Sequence, residues 1–256
     1  MKDKDNSMYW LMFGDCLERL KEIPAGSVDM ILTDPPYGTT SCKWDSIIPL
    51  DKMWEQLKRV IKSNGAIVIF GAEPFTANLI CSNLKNFKYN WIWKKDKATN
   101  HLNAKKQPMR ITENISVFYS KPCTYKPILK NKLKRNIRPP TLIRNNSDVY
   151  GHMSKVSKRV IPINKSYPNN ILKFKACFGT KGASSHPTQK PVDLLEYLIK
   201  TYTNENEIVL DFTFGSCSTG VACMNTRRQF IGIEKDKSYF KVGYNRIREA
   251  YKINKG

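Results

Sequence analysis

Val28-Asp-Met-Ile-Leu-Thr-Asp-Pro-Pro-Tyr-Gly38 decides how the rest of the chain reads. Val28, Met30, Ile31 and Leu32 form a short apolar run broken only by Asp29, the pattern of a strand buried in a parallel sheet. Asp34-Pro35-Pro36-Tyr37-Gly38 ends that strand. Two prolines lack amide hydrogens and fix their own backbone angles, so the chain leaves the sheet as a stiff loop at the strand's carboxyl end. Open α/β sheets bind their ligands along that edge.

Asp-Pro-Pro-Tyr suits the task of holding the exocyclic amine of a flat, conjugated ring. Such a nitrogen is a poor nucleophile because its lone pair is delocalised, and it must be drawn toward tetrahedral geometry before it attacks a methyl group. The Asp34 carboxylate can take one N–H and the Pro35 carbonyl the other, while Pro35 and Pro36 keep both acceptors preorganised. Tyr37 can stack on the ring face. An ordinary Asp-Pro turn with a packed tyrosine accounts for these four residues equally well, and the rest of the chain has to decide.

With 256 residues, 41% of them hydrophobic, the chain is long enough for one large α/β domain carrying a small inserted module. A formal net charge of +21 calls for a polyanionic partner. A membrane surface is the rival, but there is no long apolar segment and no charged-then-apolar leader over Met1–Trp10, so a soluble cytoplasmic protein that makes no membrane contact is expected. The seven cysteines are scattered and none forms a C-x-x-C pair, so neither a metal site nor a disulfide framework is indicated. They read as reduced thiols, mostly small core residues.

In chain order, Tyr9–Phe13 reads as a strand ending at Gly14-Asp15, and Leu17–Ile23 as a short helix that Asp15 either caps or leaves in order to meet a ligand. Pro49–Lys62 is helical by the spacing of Met53, Trp54, Leu57, Val60 and Ile61, and Asn64-Gly65 stops it. Ala66–Phe70 is a strand, Pro74–Leu84 a helix, and Tyr89–Trp93 a strand, a rhythm that implies a parallel sheet with helices on its faces. Lys94–Met109 is a polar, basic loop, followed by a strand at Ile115–Tyr119. Lys121–Lys181 then changes character: basic residues recur throughout, Asp148 is its only acid, and Tyr125, Tyr150, Tyr167, Phe174 and Phe178 are interleaved. A plain basic linker seldom carries so many aromatics. The preferred reading is a module that lies along phosphates and reaches toward bases.

The α/β rhythm resumes with a helix at Pro191–Thr201 and a strand at Glu207–Leu210, which runs into Asp211-Phe-Thr-Phe-Gly215-Ser-Cys-Ser-Thr-Gly220 and a helix at Val221–Asn225. A strand at Phe230–Ile233 ends on Glu234, and Tyr239–Tyr251 is a closing amphipathic helix. Strand, small-residue loop and helix form the local architecture that binds adenosine-type cofactors, with Glu234 where an acid accepts from ribose hydroxyls.

Joined to His186-Pro187-Thr188-Gln189-Lys190-Pro191, these stretches resemble the DNA amino-methyltransferases that use S-adenosylmethionine, in the group whose catalytic motif precedes its cofactor motif. The family's order is an acid after the first strand, D/S-P-P-Y, a target-recognition region, H-P-T-x-K-P and the glycine loop, and all five occur here in that order between Gly14 and Glu234. The resemblance implies a Rossmann-like methyltransferase sheet with helices on both faces. It implies a catalytic half at 8–120, a basic, irregular target-recognition insertion at 121–183 and a cofactor-binding half at 184–252. Asp34, Pro35, Pro36 and Tyr37 would hold the target base. Asp211, Thr213, Gly215 and Glu234 would line the cofactor site, with Asp15 near the cofactor's adenine and Thr188, Gln189 and Lys190 near its methionine end.

The implied activity is methylation of the exocyclic nitrogen of adenine in double-stranded DNA after base flipping, with Asp rather than Ser at position 34 favouring adenine over cytosine N4. A homodimer and a cognate restriction nuclease are further partners that the residues leave open. A protein-glutamine methyltransferase, which grips an amide with N-P-P-Y, places its motifs in the reverse order. One departure stands out. The family's D-P-F-x-G-x-G-T-T becomes D-F-T-F-G-S-C-S-T, with Phe212 for a proline, Thr213 for a phenylalanine and Cys217 for the second glycine. If that last position needs a positive φ, the cysteine costs about 1–2 kcal/mol, and a DNA-binding protein with a decayed cofactor site becomes the non-enzymatic alternative.

Overall fold

The computed structural model describes residues 8–38, 45–132, 146–147, 151–152, 162, 164–177 and 189–255. The chain divides into a large unit, Met1–Lys126 with Asn170–Gly256, and a small one, Pro127–Asn169. The large unit begins β1 (Tyr9–Phe13), α1 (Cys16–Leu20), β2 (Val28–Thr33), α2 (Leu50–Val60), β3 (Ile61–Gly71), α3 (Phe75–Cys81), β4 (Phe87–Thr99), β5 (Arg110–Phe118). In the small unit, the described residues include β6 (Lys130–Asn131), β7 (Asn146–Ser147), β8 (Gly151–His152) and β9 (Lys165–Ser166), paired antiparallel as β6 with β9 and β7 with β8. The large unit then resumes with β10 (Ile171–Lys173), α4 (Val192–Tyr202), β11 (Ile208–Asp211), α5 (Ser218–Asn225), β12 (Gln229–Glu234) and α6 (Lys237–Lys255).

Eight strands of the large unit form one sheet in the order β1-β12-β11-β2-β3-β5-β4-β10. All neighbouring pairs are parallel except those of β5, which runs antiparallel to both β3 and β4. The purely parallel sheet expected from the rhythm is thus corrected at one strand. No crossover helix separates β4 from β5, only a 3-10 turn at His101–Asn103, and so short a connection requires the chain to reverse direction.

Alternation along the central strands sends side chains to two cores. Met30, Leu32, Ala66, Val68 and Phe70 face α4, α5 and α6 through residues such as Leu194, Leu198, Ala222 and Ile247. Val28, Ile31, Ile67 and Ile69 face the opposite layer, where α2 presents Met53, Trp54, Leu57 and Val60 along one stripe beside Leu20 of α1 and Leu79 of α3. Each fully buried side chain of this size contributes about 1.5–3 kcal/mol by leaving water.

Several boundaries move. α2 stops at Val60 and β3 begins at once, with its register against β2 shifting between Val28↔Ile61 and Met30↔Ala66. Asn64-Gly65 therefore lies in an irregular stretch of the strand rather than at a helix end. A side chain at Gly65 would stand 2.8 Å from the Asp29 carbonyl, so only glycine allows that approach. Lys94–Thr99, read as loop because it is polar, continues β4, where Trp93 and Lys94 pair with Glu113 and Thr112 of β5. The small unit is narrower than the Lys121–Lys181 stretch marked by composition and the 121–183 insertion implied by the resemblance, because Ile171–Lys173 pairs with β4 in the main sheet. Among the described cysteines Cys16, Cys217 and Cys223 are buried while Cys81 and Cys177 are exposed, so the thiols are less uniformly core residues than expected. No helix among the described residues is long and apolar enough to cross a membrane.

Candidate active site

The strand order brings distant stretches to one edge. β2 pairs with β11 through Met30↔Val209 and Ile31↔Leu210, β12 flanks β11, and β1 flanks β12, all parallel. Asp34, the 211–217 loop, Glu234 and Gly14-Asp15 consequently leave the sheet on the same side. A cavity of about 720 Å³ opens there, within the roughly 300–1,000 Å³ typical of ligand sites. Asp34, Pro35, Pro36 and Tyr37 line it together with Gln189 and Lys190, with Asp211, Thr213 and Gly215, and with Asp15 and Glu234. Thr188, like the rest of the 178–188 stretch, lies outside the described residues.

On one side, the Tyr37 hydroxyl donates to Asp34 Oδ1, and Lys190 Nζ donates to Asp34 Oδ2 at 2.6 Å. The loop is tied down by the amides of Tyr37 and Gly38, which donate to Asp45 Oδ1 at 2.7 and 2.9 Å. The Tyr37 ring stacks on Phe75 with centroids 5.2 Å apart. Burial, together with the neighbouring Asp34 carboxylate, pushes the Tyr37 phenol well above its ordinary range, so it stays a neutral donor. Lys190, for which the sequence suggested a place by the cofactor's methionine end, has its ammonium on Asp34 and 3.3 Å from Glu113 Oε2. Burial works against that charge, but the two carboxylates outweigh it and hold Lys190 above the usual lysine value.

On the other side, Asp211 is buried and surrounded by hydroxyls. Thr33 Oγ1 donates to Oδ1 at 2.8 Å and Thr219 Oγ1 to Oδ2 at 2.7 Å, while the Thr213 amide reaches Oδ1 at 3.2 Å. Burial still pushes its carboxyl up to about 6. Glu234 accepts from the Gly215 amide through Oε2 at 2.8 Å and from the Asp236 amide through Oε1 at 2.7 Å, and burial raises it as well. Gly215 adopts φ 51°, which lets the backbone turn against Glu234. Asp15 caps α1, its Oδ1 accepting from Leu17 N at 2.9 Å, and also lines the cavity. Gln189 Oε1 lies 3.3 Å from Ser216 Oγ and from Arg246 Nη1. The two sides touch: Thr213 Oγ1 donates to the Asp34 carbonyl at 3.3 Å.

Glu113, Lys95, Asp45, Thr33 and Arg246 were not singled out from the sequence. Glu113 and Lys95 fall in polar strand segments, and Arg246 lies inside an amphipathic helix, so no motif marks them. An acid seven residues after Gly38 was a usable signal for Asp45, since a strained loop needs an acceptor for its amides.

The family profile described as DNA methylase matches residues 28–245. DNA adenine methyltransferase YhdJ of Escherichia coli K12 is 30% identical, an alignment that takes in 94% of this chain and 83% of that protein. The chain belongs to the DNA methylase family. Type II methyltransferase M.HinfI of Haemophilus influenzae is 26% identical over 97% of the chain and 71% of its own length. Among solved structures, the M1.HpyAVI–SAM complex superposes with a TM-score of 0.62 at 25% identity, covering 93% of this chain and 100% of that one. The cytosine-N4-specific PvuII methyltransferase gives 0.66 at 16% identity over 97% and 93%, a likeness of fold alone. The fold of this DNA methylase is the Rossmann-like one of S-adenosylmethionine-dependent methyltransferases, with helices on both faces of the sheet.

In this DNA methylase Cys217 adopts φ 62°, so the condition attached to its strain is met and about 1–2 kcal/mol is stored there. Its side chain is buried beneath α5 and does not line the cavity, and burial raises its thiol pKa. The departure from the family pattern therefore costs stability without filling the site.

Proposed function

We propose that this chain transfers the methyl group of S-adenosylmethionine to the N6 nitrogen of adenine at specific sites in double-stranded DNA, through a member of the group whose catalytic motif precedes its cofactor motif. The observation that carries this reading is the contact between the Asp34 loop and the Asp211 loop across one cavity. Support for adenine comes from Asp34, by resemblance, and from YhdJ, whose name describes an adenine methyltransferase.

The donor set fits the cofactor. Glu234, both oxygens fixed by backbone amides, presents acceptors to a ribose diol, and the Asp211 carboxylate suits an ammonium group. The cofactor supplies a methyl group already activated by its positive sulfur. The chain's own residues do the rest. Asp34 and the Pro35 carbonyl accept the two N–H groups of the target amine, which pulls its lone pair out of conjugation with the ring. Asp34 is also placed to take the proton that the methylated nitrogen sheds. Tyr37, backed by Phe75, gives the base an apolar wall. In a duplex the amine is paired, so the base must be swung out at a cost of a few kcal/mol, offset by phosphate contacts from the basic residues of 121–183.

Incubation with labelled cofactor and duplex DNA, followed by digestion to nucleosides, tests this: label in N6-methyl-2′-deoxyadenosine is expected. Label only in N4-methylcytosine would reverse the choice of base, and an unlabelled DNA product would leave the decayed-site reading. Binding to duplex DNA should weaken steeply with salt, and a flat response would deny the basic region its phosphate contacts.

A further inference from the structure

The pair between Lys190 and Asp34 creates a conflict within that reading. Each oxygen of the carboxylate meant for the target amine already carries a donor, the Tyr37 hydroxyl on Oδ1 and the Lys190 ammonium on Oδ2. An ammonium is a stronger donor than a neutral aromatic amine, so a lysine fixed in this place would outcompete the substrate.

A second acceptor stands beside it. Glu113 Oε2 is buried and already ion-paired with the Lys190 ammonium at 3.3 Å, but it takes no well-aligned hydrogen bond in this arrangement. A buried carboxylate oxygen without an aligned donor is costly, and among the described residues Asn83 Nδ2 and Tyr197 Oη are the other buried side-chain atoms in that state. The opposite oxygen of Glu113 is held by Lys95 of β4, so the carboxylate is anchored at one end and only loosely paired at the other. Lys190, Glu113 and Lys95 keep only 8%, 15% and 10% of their side chains exposed, which shields the charges from water. Phe70 and Tyr37 flank the ammonium, with ring centroids 5.1 and 5.8 Å from Nζ, and their faces favour a cation along the short path.

We propose that Glu113 is a positioning residue that receives the Lys190 ammonium when the target amine donates to Asp34. The inference rests on the functional reading above. Only hydrogen bonds are exchanged: Lys190 keeps its three protons, Asp34 Oδ2 trades one N–H donor for another, and Glu113 Oε2 gains an aligned donor in place of a 3.3 Å ion pair. Lys190 thus holds Asp34 in place between turnovers and yields to the amine, while Glu113 keeps the yielding cheap.

Steady-state methylation at saturating cofactor tests this with three variants. Glu113→Gln should lower kcat by at least about tenfold with the KM for S-adenosylmethionine unchanged, because Lys190 then has no second carboxylate. Glu113→Asp keeps the charge but retreats by one methylene, and should give an intermediate rate, which keeps the proposal testable if the glutamine variant folds poorly. The decisive readout is the double variant Glu113→Gln, Lys190→Gln: removing the competing ammonium should recover most of the lost rate, whereas a merely structural Glu113 would make the double variant worse. Wild-type kcat in folded Glu113→Gln and Glu113→Asp proteins, or a double variant no faster than Glu113→Gln, would overturn the handover. The wild-type rate in the same assay reports on the functional reading separately.

Discussion

The two loops that meet across the cavity differ in one tie. Asp34–Gly38 is fixed by charged groups, the Lys190 ammonium and the Asp45 carboxylate, the first of which comes from 156 residues away. The 211–217 loop is fixed by threonine hydroxyls on Asp211, by the Glu234 carboxylate on the Gly215 amide and by Arg246 on the Ser216 carbonyl, with Gly215 and Cys217 in left-handed conformations. Among the described residues, Lys190 with Asp34 is a side-chain ion pair of the first loop, and such a pair can exchange partners within a closed site, whereas the shell of hydroxyls around Asp211 cannot change without losing several bonds at once. On the proposed function, the adaptable loop meets the target base and the other the cofactor.

Breaking the first loop should have the largest effect. Asp34→Ala is expected to cut methyl transfer by about 10²–10³-fold, the scale of removing one preorganised polar group from a reacting centre, while calorimetry finds S-adenosylmethionine affinity retained. An active Asp34→Ala protein would remove that residue's assigned role.

The second loop should respond to pH instead. With its carboxyl pushed up to about 6, Asp211 loses its charge as pH falls through that value, and affinity for a cofactor bearing an ammonium should drop toward tenfold per unit on the acid side. Asp211→Asn should bind the cofactor weakly and show no such slope. The sign for stability is the reverse. Because the folded carboxyl titrates above its ordinary value of 3.8, the native state holds the extra proton and this residue's contribution to stability falls as pH rises from about 4 to about 6. A stability profile of the wild type against Asp211→Asn separates the two effects.

Cys217→Gly should have the smallest effect. It relieves the strain of a left-handed cysteine, about 1–2 kcal/mol, but empties a space that packs against Gly220 and Gly243 and adds backbone freedom worth about 0.5–1 kcal/mol. Thermal unfolding should shift by no more than the equivalent of about 1 kcal/mol. A much larger loss would mean that the thiol itself supports the cofactor loop.

Much of this arrangement was legible in the residues. The strand ahead of Asp34 and the strand ahead of the small-residue loop announce themselves by apolar runs that stop at special backbone positions, and β1 and β2 begin at the residues expected. Lys94–Thr99 was misread because its side chains carry charge, although β4 is held there by pairing with β5 rather than by burial. Antiparallel β5 left no local trace, since direction depends on what connects two strands. Glu113 escaped for a related reason: its chemistry comes from Lys95 and Lys190, which only the folded sheet brings to it.

On the proposed function, one cavity presents the acceptor of Asp34 to the reactive end of a cofactor held by Asp211 and Glu234. A crystal structure with the methyl-donor analogue sinefungin tests it most directly. The expected result has the analogue's ribose on Glu234 and the amine that replaces the methyl group directed at Asp34, leaving a gap in which a base nitrogen sits about 3–3.5 Å from the transferred carbon. An analogue bound elsewhere, or bound with that group turned away from Asp34, would contradict it.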